Sequence, residues 1–144
     1  MPRFVFVALL FASLCAQAQT TADLDFIEST LRSCETAAQS NLDHQACVHS
    51  AYSAADHQLN LIYYSIVNSL EKSTQLRAED IYHQLITGQH AWAAFRDANR
   101  QLRGMLALGG CDDSIVGGCV VMTINRAREL LTIGRAISRG PSAN

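Results

Sequence analysis

Apolar residues recur at three- and four-residue steps through most of this chain, and no stretch alternates apolar and polar residues well enough to make a convincing strand. Proline falls only at positions 2 and 141, so nothing between them breaks a helix. Leu24, Ile27, Leu31, Cys34 and Ala38 mark one stripe on a helix from Leu24 to about Gln39. Ser40 to Asp43 reads as a turn, with Asp43 the N-cap of a second helix that runs through Ala46, Ser50, Ser53, Leu59, Ile62, Ile66 and Leu70. The pattern lapses between Lys72 and Leu76. A third helix opens on Ala78, Glu79 and Asp80, whose carboxylates suit its positive N-terminus, and continues to about Leu106 with Ile81, Leu85, Trp92, Phe95 and Leu102 as apolar positions. Leu108 to Cys119 reads as a glycine-rich loop. A last helix, from about Val120 to Ser138, buries Val120, Ile124, Ala127, Leu131 and Ile137. Four helices without a strand predict an all-α fold, a small antiparallel four-helix bundle.

The first eighteen residues stand apart. Arg3 precedes an apolar run from Phe4 to Leu14, and Ala16-Gln17-Ala18 has the small-x-small form of a cleavage site, which together describe a secretory signal peptide. The run is well short of the roughly 20 residues that span a bilayer, and no later segment stays apolar that long, so no integral membrane segment is expected in the mature chain. Leu14 before Cys15 departs from lipid-attachment signals, which have a small residue there. Removing 18 of the 144 residues leaves 126, enough for one domain with one core, from residue 19 to residue 144.

An exported chain meets an oxidising compartment, and with Cys15 removed it keeps Cys34, Cys47, Cys111 and Cys119. Two disulfides are the natural reading, and proximity along the chain favours Cys34 with Cys47 and Cys111 with Cys119 among three connectivities. The first pair has further support. In a hairpin turning between Ser40 and Asn41, antiparallel partners have numbers totalling about 81, as Cys34 and Cys47 do. Neither spacing is a short zinc knuckle, and the five histidines supply no third ligand in register, so no metal or other cofactor is expected.

The second and third helices each carry a polar and aromatic stripe. Asp56, Asn60 and Tyr63 share one face, as do Gln89, Trp92 and Arg96. Asp56 with Arg96, Asn60 with Trp92 and Tyr63 with Gln89 all total 152, so a single register, turning at residue 76, brings the stripes together. The ordinary interpretation is an ion pair that fixes register beside a tryptophan filling the core. The sharper one is a recognition surface, because Trp, Tyr and Arg are common binding hot spots. Catalysis finds no support: the carboxylate faces a cation, with no second carboxylate or activated nucleophile beside it, and no phosphate loop, G-x-S-x-G elbow or H-E-x-x-H helix is present. Thr123 and Arg126 are placed to close the seam on Asp97 or Asp56.

Asp56-His57-Gln58-Leu59-Asn60 with Tyr63, and Gln89-His90-Ala91-Trp92 with Phe95-Arg96-Asp97, are similar to the motifs of the LprI-like family, the lysozyme inhibitor LprI N-terminal domain. Cys47 upstream, and Gly109, Gly110, Cys119, Thr123, Arg126 and Leu130 downstream, extend the resemblance over most of the mature chain. It implies a small secreted or periplasmic, cysteine-bridged helical protein that inhibits lysozyme by binding. One departure is visible: family members commonly have a cysteine soon after the Arg-Asp pair, where this chain reads Ala98-Asn99-Arg100, and Cys111 is the expected replacement as partner of Cys119.

Without Arg3 the chain has ten basic and thirteen acidic side chains, a net charge of −3 that offers no electrostatic case for nucleic acid. The distribution is uneven. Six carboxylates lie between Asp23 and Asp56 against only Arg32, whereas Arg126, Arg128, Arg135 and Arg139 face only Glu129 beyond Ser114. An acidic first hairpin suits a basic lysozyme or another cell-wall hydrolase, and such a complex should form more slowly as salt rises. The expected partner contacts are Asp43 on that hairpin and Asp112 and Asp113 in the glycine-rich loop. The rival functions are an immunity protein against a toxin delivered to the periplasm and a non-catalytic assembly factor of the envelope.

Overall fold

In a computed structural model, the backbone is described for residues 4–106 and 113–139, and the side chains for residues 20–105 and 117–139. All the regular structure there is helical: α1 (Phe4–Ala37), α2 (Asn41–Glu71), α3 (Ala78–Leu106) and α4 (Asp113–Arg139). Among the described residues no helix is long and apolar enough to cross a membrane. Cys111 and Asp112 lie outside the described residues, as does the side chain of Asp113.

The turn into α2 differs from expectation by one role. Ser40, with extended backbone, is the N-cap, and its Oγ accepts from the Asp43 backbone N–H at 3.2 Å. Asp43 is the reciprocal partner three residues on: its Oδ2 accepts from the Ser40 hydroxyl at 2.8 Å and from the Gln39 backbone N–H at 3.3 Å. This is a form of capping box in which the Ser40 hydroxyl satisfies one first-turn donor, the Asp43 N–H, and the aspartate in return ties down the residues just before the helix. These bonds, that to the Ser40 hydroxyl first, hold the Asp43 carboxyl below its ordinary pKa of 3.8. The Cys34–Cys47 disulfide spans the same hairpin with its Cα atoms 5.7 Å apart. Closing a loop of this size contributes about 3 kcal/mol in the chain-entropy account.

The expected loop from Leu108 to Cys119 is shorter, because α4 begins at Asp113 and takes in Gly117, Gly118 and Cys119. With no Cβ at Gly118 the Arg103 guanidinium lies where one would project, Nη1 being 2.7 Å from that point. Packing across α3 and α4 at Gly118 therefore outweighs that glycine's weak helix propensity. The second expected disulfide is corrected as well: Cys119 is a buried free thiol. It stands six residues into a helix, about 9 Å along the axis from its first residue.

The core is built chiefly by α1, α2 and α4. Leu24 and Ile27 pack with Val48, Ala55, Leu59, Ile62 and Ile66, and with Val120, Ile124, Ala127 and Leu130. Each large apolar side chain so buried contributes about 1.5–3 kcal/mol. Ala46, Ser50 and Ser53, on the expected course of α2, are exposed, and the buried face passes through Cys47, Val48, Ala51 and Ala55 instead. On α3 only Ala78 and Leu85 join the apolar core as buried residues, with Trp92 partly buried against it. Ile81, Phe95 and Leu102 face outward.

The packing is unequal. α2 and α4 form the most extensive helix pair, with α1 and α3 on them, and α1 and α3 have no packing between them among the described residues. Small residues permit the central approach. A Cβ at Gly134 would lie 3.2 Å from Ile66 Cγ1 and 3.3 Å from its Cδ1.

Candidate functional site

The seam between α2 and α3 centres on Arg96. Its Nη1 donates to Asp56 Oδ1 at 2.7 Å, and its Nε donates to Asp97 Oδ1 at 3.3 Å. The guanidinium also lies 4.9 Å from the Trp92 ring centroid and 5.6 Å from that of Tyr52, so two aromatic rings flank the cation. The Arg96 side chain is 13% exposed and that of Asp56 37%, which makes this a rim-to-core pair. Burial works against the Arg96 charge, but the Asp56 hydrogen bond and the fields of Tyr52, Asp56 and Asp97 outweigh it and raise the pKa. Burial raises the Tyr52 phenol as well.

The other expected members divide. Asn60 is exposed and donates from Nδ2 to Asp56 Oδ2 at 3.3 Å, steadying the carboxylate that Arg96 uses. Tyr63 is half-buried beside Tyr64, with ring centroids 5.2 Å apart. Gln89 turns to α4, where its Oε1 accepts from Arg126 Nε at 3.0 Å. Arg126 then donates from Nη1 to Glu129 at 2.8 Å. These bonds replace the expected reach of Arg126 to Asp97 or Asp56. Thr123 is fully buried with its hydroxyl unpartnered. The structure thus joins Asp56, Asn60, Trp92, Arg96 and Asp97 in one cluster and sets Gln89 in a second with Arg126 and Glu129.

Tyr52 was absent from the expected stripe, although it lies one helical turn before Asp56 on the same face. A larger omission lies on the opposite side, where Arg128 of α4 donates to Asp25 at 2.7 Å and to Glu28 at 3.0 Å and 3.1 Å, fastening α1. Arg135 adds a bond to Thr21 at 3.3 Å. The acidic hairpin and the basic last helix therefore neutralise each other in part. Of the six carboxylates between Asp23 and Asp56, Asp25 and Glu28 face Arg128, Glu35 faces His44 at 3.7 Å, Asp43 caps α2 and Asp56 holds Arg96.

Chemically this arrangement holds and orients. The Cys119 thiol is pushed up by burial despite Arg100, Arg96 and Arg103 nearby, the opposite of an activated nucleophile. Among the described residues no three His, Cys, Asp or Glu side chains are grouped to hold a metal ion.

Comparison with known proteins gives one family and one relative. Residues 32–130 match lysozyme inhibitor LprI, a span from the end of α1 to α4 that includes the whole seam. An uncharacterized protein of Rhizobium meliloti (strain 1021), R02472, is 32% identical over 102 residues, covering 65% of this chain and 73% of that protein. No solved structure matches the chain.

Proposed function

Because this chain belongs to the lysozyme inhibitor LprI family, we propose that it is a secreted or periplasmic binding protein that occludes a lysozyme or another cell-wall hydrolase stoichiometrically, without catalysis. The family match over residues 32–130 carries the reading. We read the four helices as an antiparallel bundle whose rigidity serves recognition, and the sequence up to Ala18 as a signal peptide removed on export.

The contact surface we favour is the end of the molecule where α1 turns into α2 and where α4 opens. The Cys34–Cys47 bridge and the capping box stiffen that turn, and Leu42 and Asp43 stand exposed on it. Asp112 and Asp113 mark the start of α4 in the sequence. A short turn on a braced scaffold presents a fixed surface at little entropic cost on binding. The Asp56–Arg96 cluster supports the same surface from behind by holding α3 to α2.

The test is titration of the oxidised, processed protein into a lysozyme activity assay. Inhibition that reaches its limit near one inhibitor per enzyme, and that falls on substituting Leu42 and Asp43 together, is the expected result. Undiminished lysozyme activity at excess protein, with the disulfide and helical spectrum intact, removes lysozyme as the target. Capture of a single periplasmic toxin in its place would establish an immunity role.

A further inference from the structure

α3 carries a second apolar stripe that the core does not use. Ile81, Gly88, Phe95 and Leu102 follow at seven-residue steps, and Gln84, Ala91, Ala98 and Met105 repeat the spacing three residues on. All eight are exposed, Phe95 at 59%, Leu102 at 55% and Met105 at 78%. The face turned to the rest of the molecule is a different one, carrying Ala78, Leu85 and Gln89. An alternation of three and four sustained over 25 residues is the pattern of a coiled-coil seam, in which each side chain seats among four of a facing helix.

We propose that a second copy of this chain docks on the stripe, α3 against α3, antiparallel about a two-fold axis. The stripe is complementary to itself in size. In the register where facing numbers total 186, Phe95 of one copy lies over Ala91 of the other, Gly88 over Ala98, and Ile81 over Met105. Each ring enters the space an alanine leaves, and the glycine permits close backbone approach. Gln84 is the one polar side chain of the stripe and lies over Leu102 twice by symmetry, a feature of the kind that selects register in a paired seam. The helix dipoles favour the same direction. Antiparallel pairing opposes the dipoles of the two α3 helices, whereas Arg100 and Arg103 lie by Cys119 and Gly118 on the side turned to α4 and take no part in the seam. Parallel pairing would bring like ends together. The stripe also runs into a hollow of about 320 Å³ between α3 and α4, whose lining joins Ile81, Gln84, Leu85 and Ile133 to the charged Arg77, Asp80 and Arg126. That hollow gives Met105 of the second copy a seat, a task suited to a flexible thioether side chain.

Sedimentation equilibrium of the purified protein over a wide concentration range tests this. The expected result is a monomer–dimer equilibrium that weakens at least about 30-fold in Phe95→Asp, the effect of losing a binding hot spot. Phe26→Asp, at an exposed phenylalanine of α1, should leave it unchanged. Because Phe95 is exposed, helicity should stay as in the parent. A Gly88→Cys/Ala98→Cys chain should oxidise to a covalent dimer, which reports the register directly. A monomer at every concentration overturns the proposal, as does a dimer indifferent to Phe95→Asp. A monomer whose stripe becomes protected only when lysozyme is added also overturns it, and assigns the stripe to that enzyme.

Discussion

Arg96 shows how much a single side chain can organise without reacting. Its charge is partly desolvated, so it depends on Asp56, on Asp97 and on the rings of Trp92 and Tyr52. Asp56→Ala removes the shortest of these contacts but leaves Asp97 and both rings in place. The expected loss in urea unfolding is about 1–2 kcal/mol, between an exposed pair and a fully buried one. A loss near 4 kcal/mol would mean that Asp97 gives no compensation, and a loss near zero would mean that water already screens the pair. Asp43 makes a separate prediction at this scale. Its pKa is lower in the folded chain than its ordinary 3.8, so its contribution is present above 3.8 and is lost as pH falls through the lowered value. Melting temperature followed from pH 5 downward should therefore fall more steeply in the parent than in Asp43→Asn, which keeps a hydrogen-bonding side chain but does not titrate. Parallel curves would assign the acid limb to other carboxylates.

At the scale of helices, local rules were legible and distant pairings were not. The numbers of Cys34 and Cys47 pointed to the first hairpin, and the register totalling 152 pointed to the Asp56–Arg96 contact, because antiparallel neighbours joined by short turns obey simple arithmetic. The start of α4 was misread because Gly117 and Gly118 are poor helix formers, and the packing of Gly118 against Arg103 of α3 is not a local property. The α2–α4 pairing was hidden for a related reason: it draws on core residues far apart in sequence, Ala51, Ala55 and Ala127 among them, and on Gly134 lying close to Ile66, and small residues leave no strong periodic signal. The two helical glycines near the ends of α4 should accordingly answer differently. A Cβ at Gly117 meets nothing within 4 Å, so Gly117→Ala should gain up to about 1 kcal/mol from helix propensity. At Gly134 the added atoms meet Ile66, so Gly134→Val should lose about 1–3 kcal/mol by forcing α2 from α4. Equal effects at the two positions in thermal unfolding would refute the close approach of α2 and α4.

Across the whole molecule, charge reads differently in three dimensions than along the chain. The sequence separates an acidic beginning from a basic end, which by itself argues for a strong negative face and for steering toward a basic enzyme. Folding places Arg128 between Asp25 and Glu28 and Arg96 on Asp56, so two guanidinium groups meet part of that charge within the chain. A basic partner meets the exposed surface near Asp43, a small part of a chain whose net charge is only −2, or −3 without Arg3. Long-range attraction grows with net charge and decays within about 10 Å at 0.1 M salt, so a weakly charged inhibitor is steered weakly. The association rate with a basic lysozyme, measured by stopped flow, should thus fall only a few-fold between low and physiological salt, while the dissociation rate changes little. Arg128→Ala frees Asp25 and Glu28, and in that variant the salt dependence should steepen although nothing has been added to the binding surface. If the parent already slows about a hundredfold with salt, the carboxylates of the first hairpin are open to the partner, and Arg128 does not neutralise them in solution.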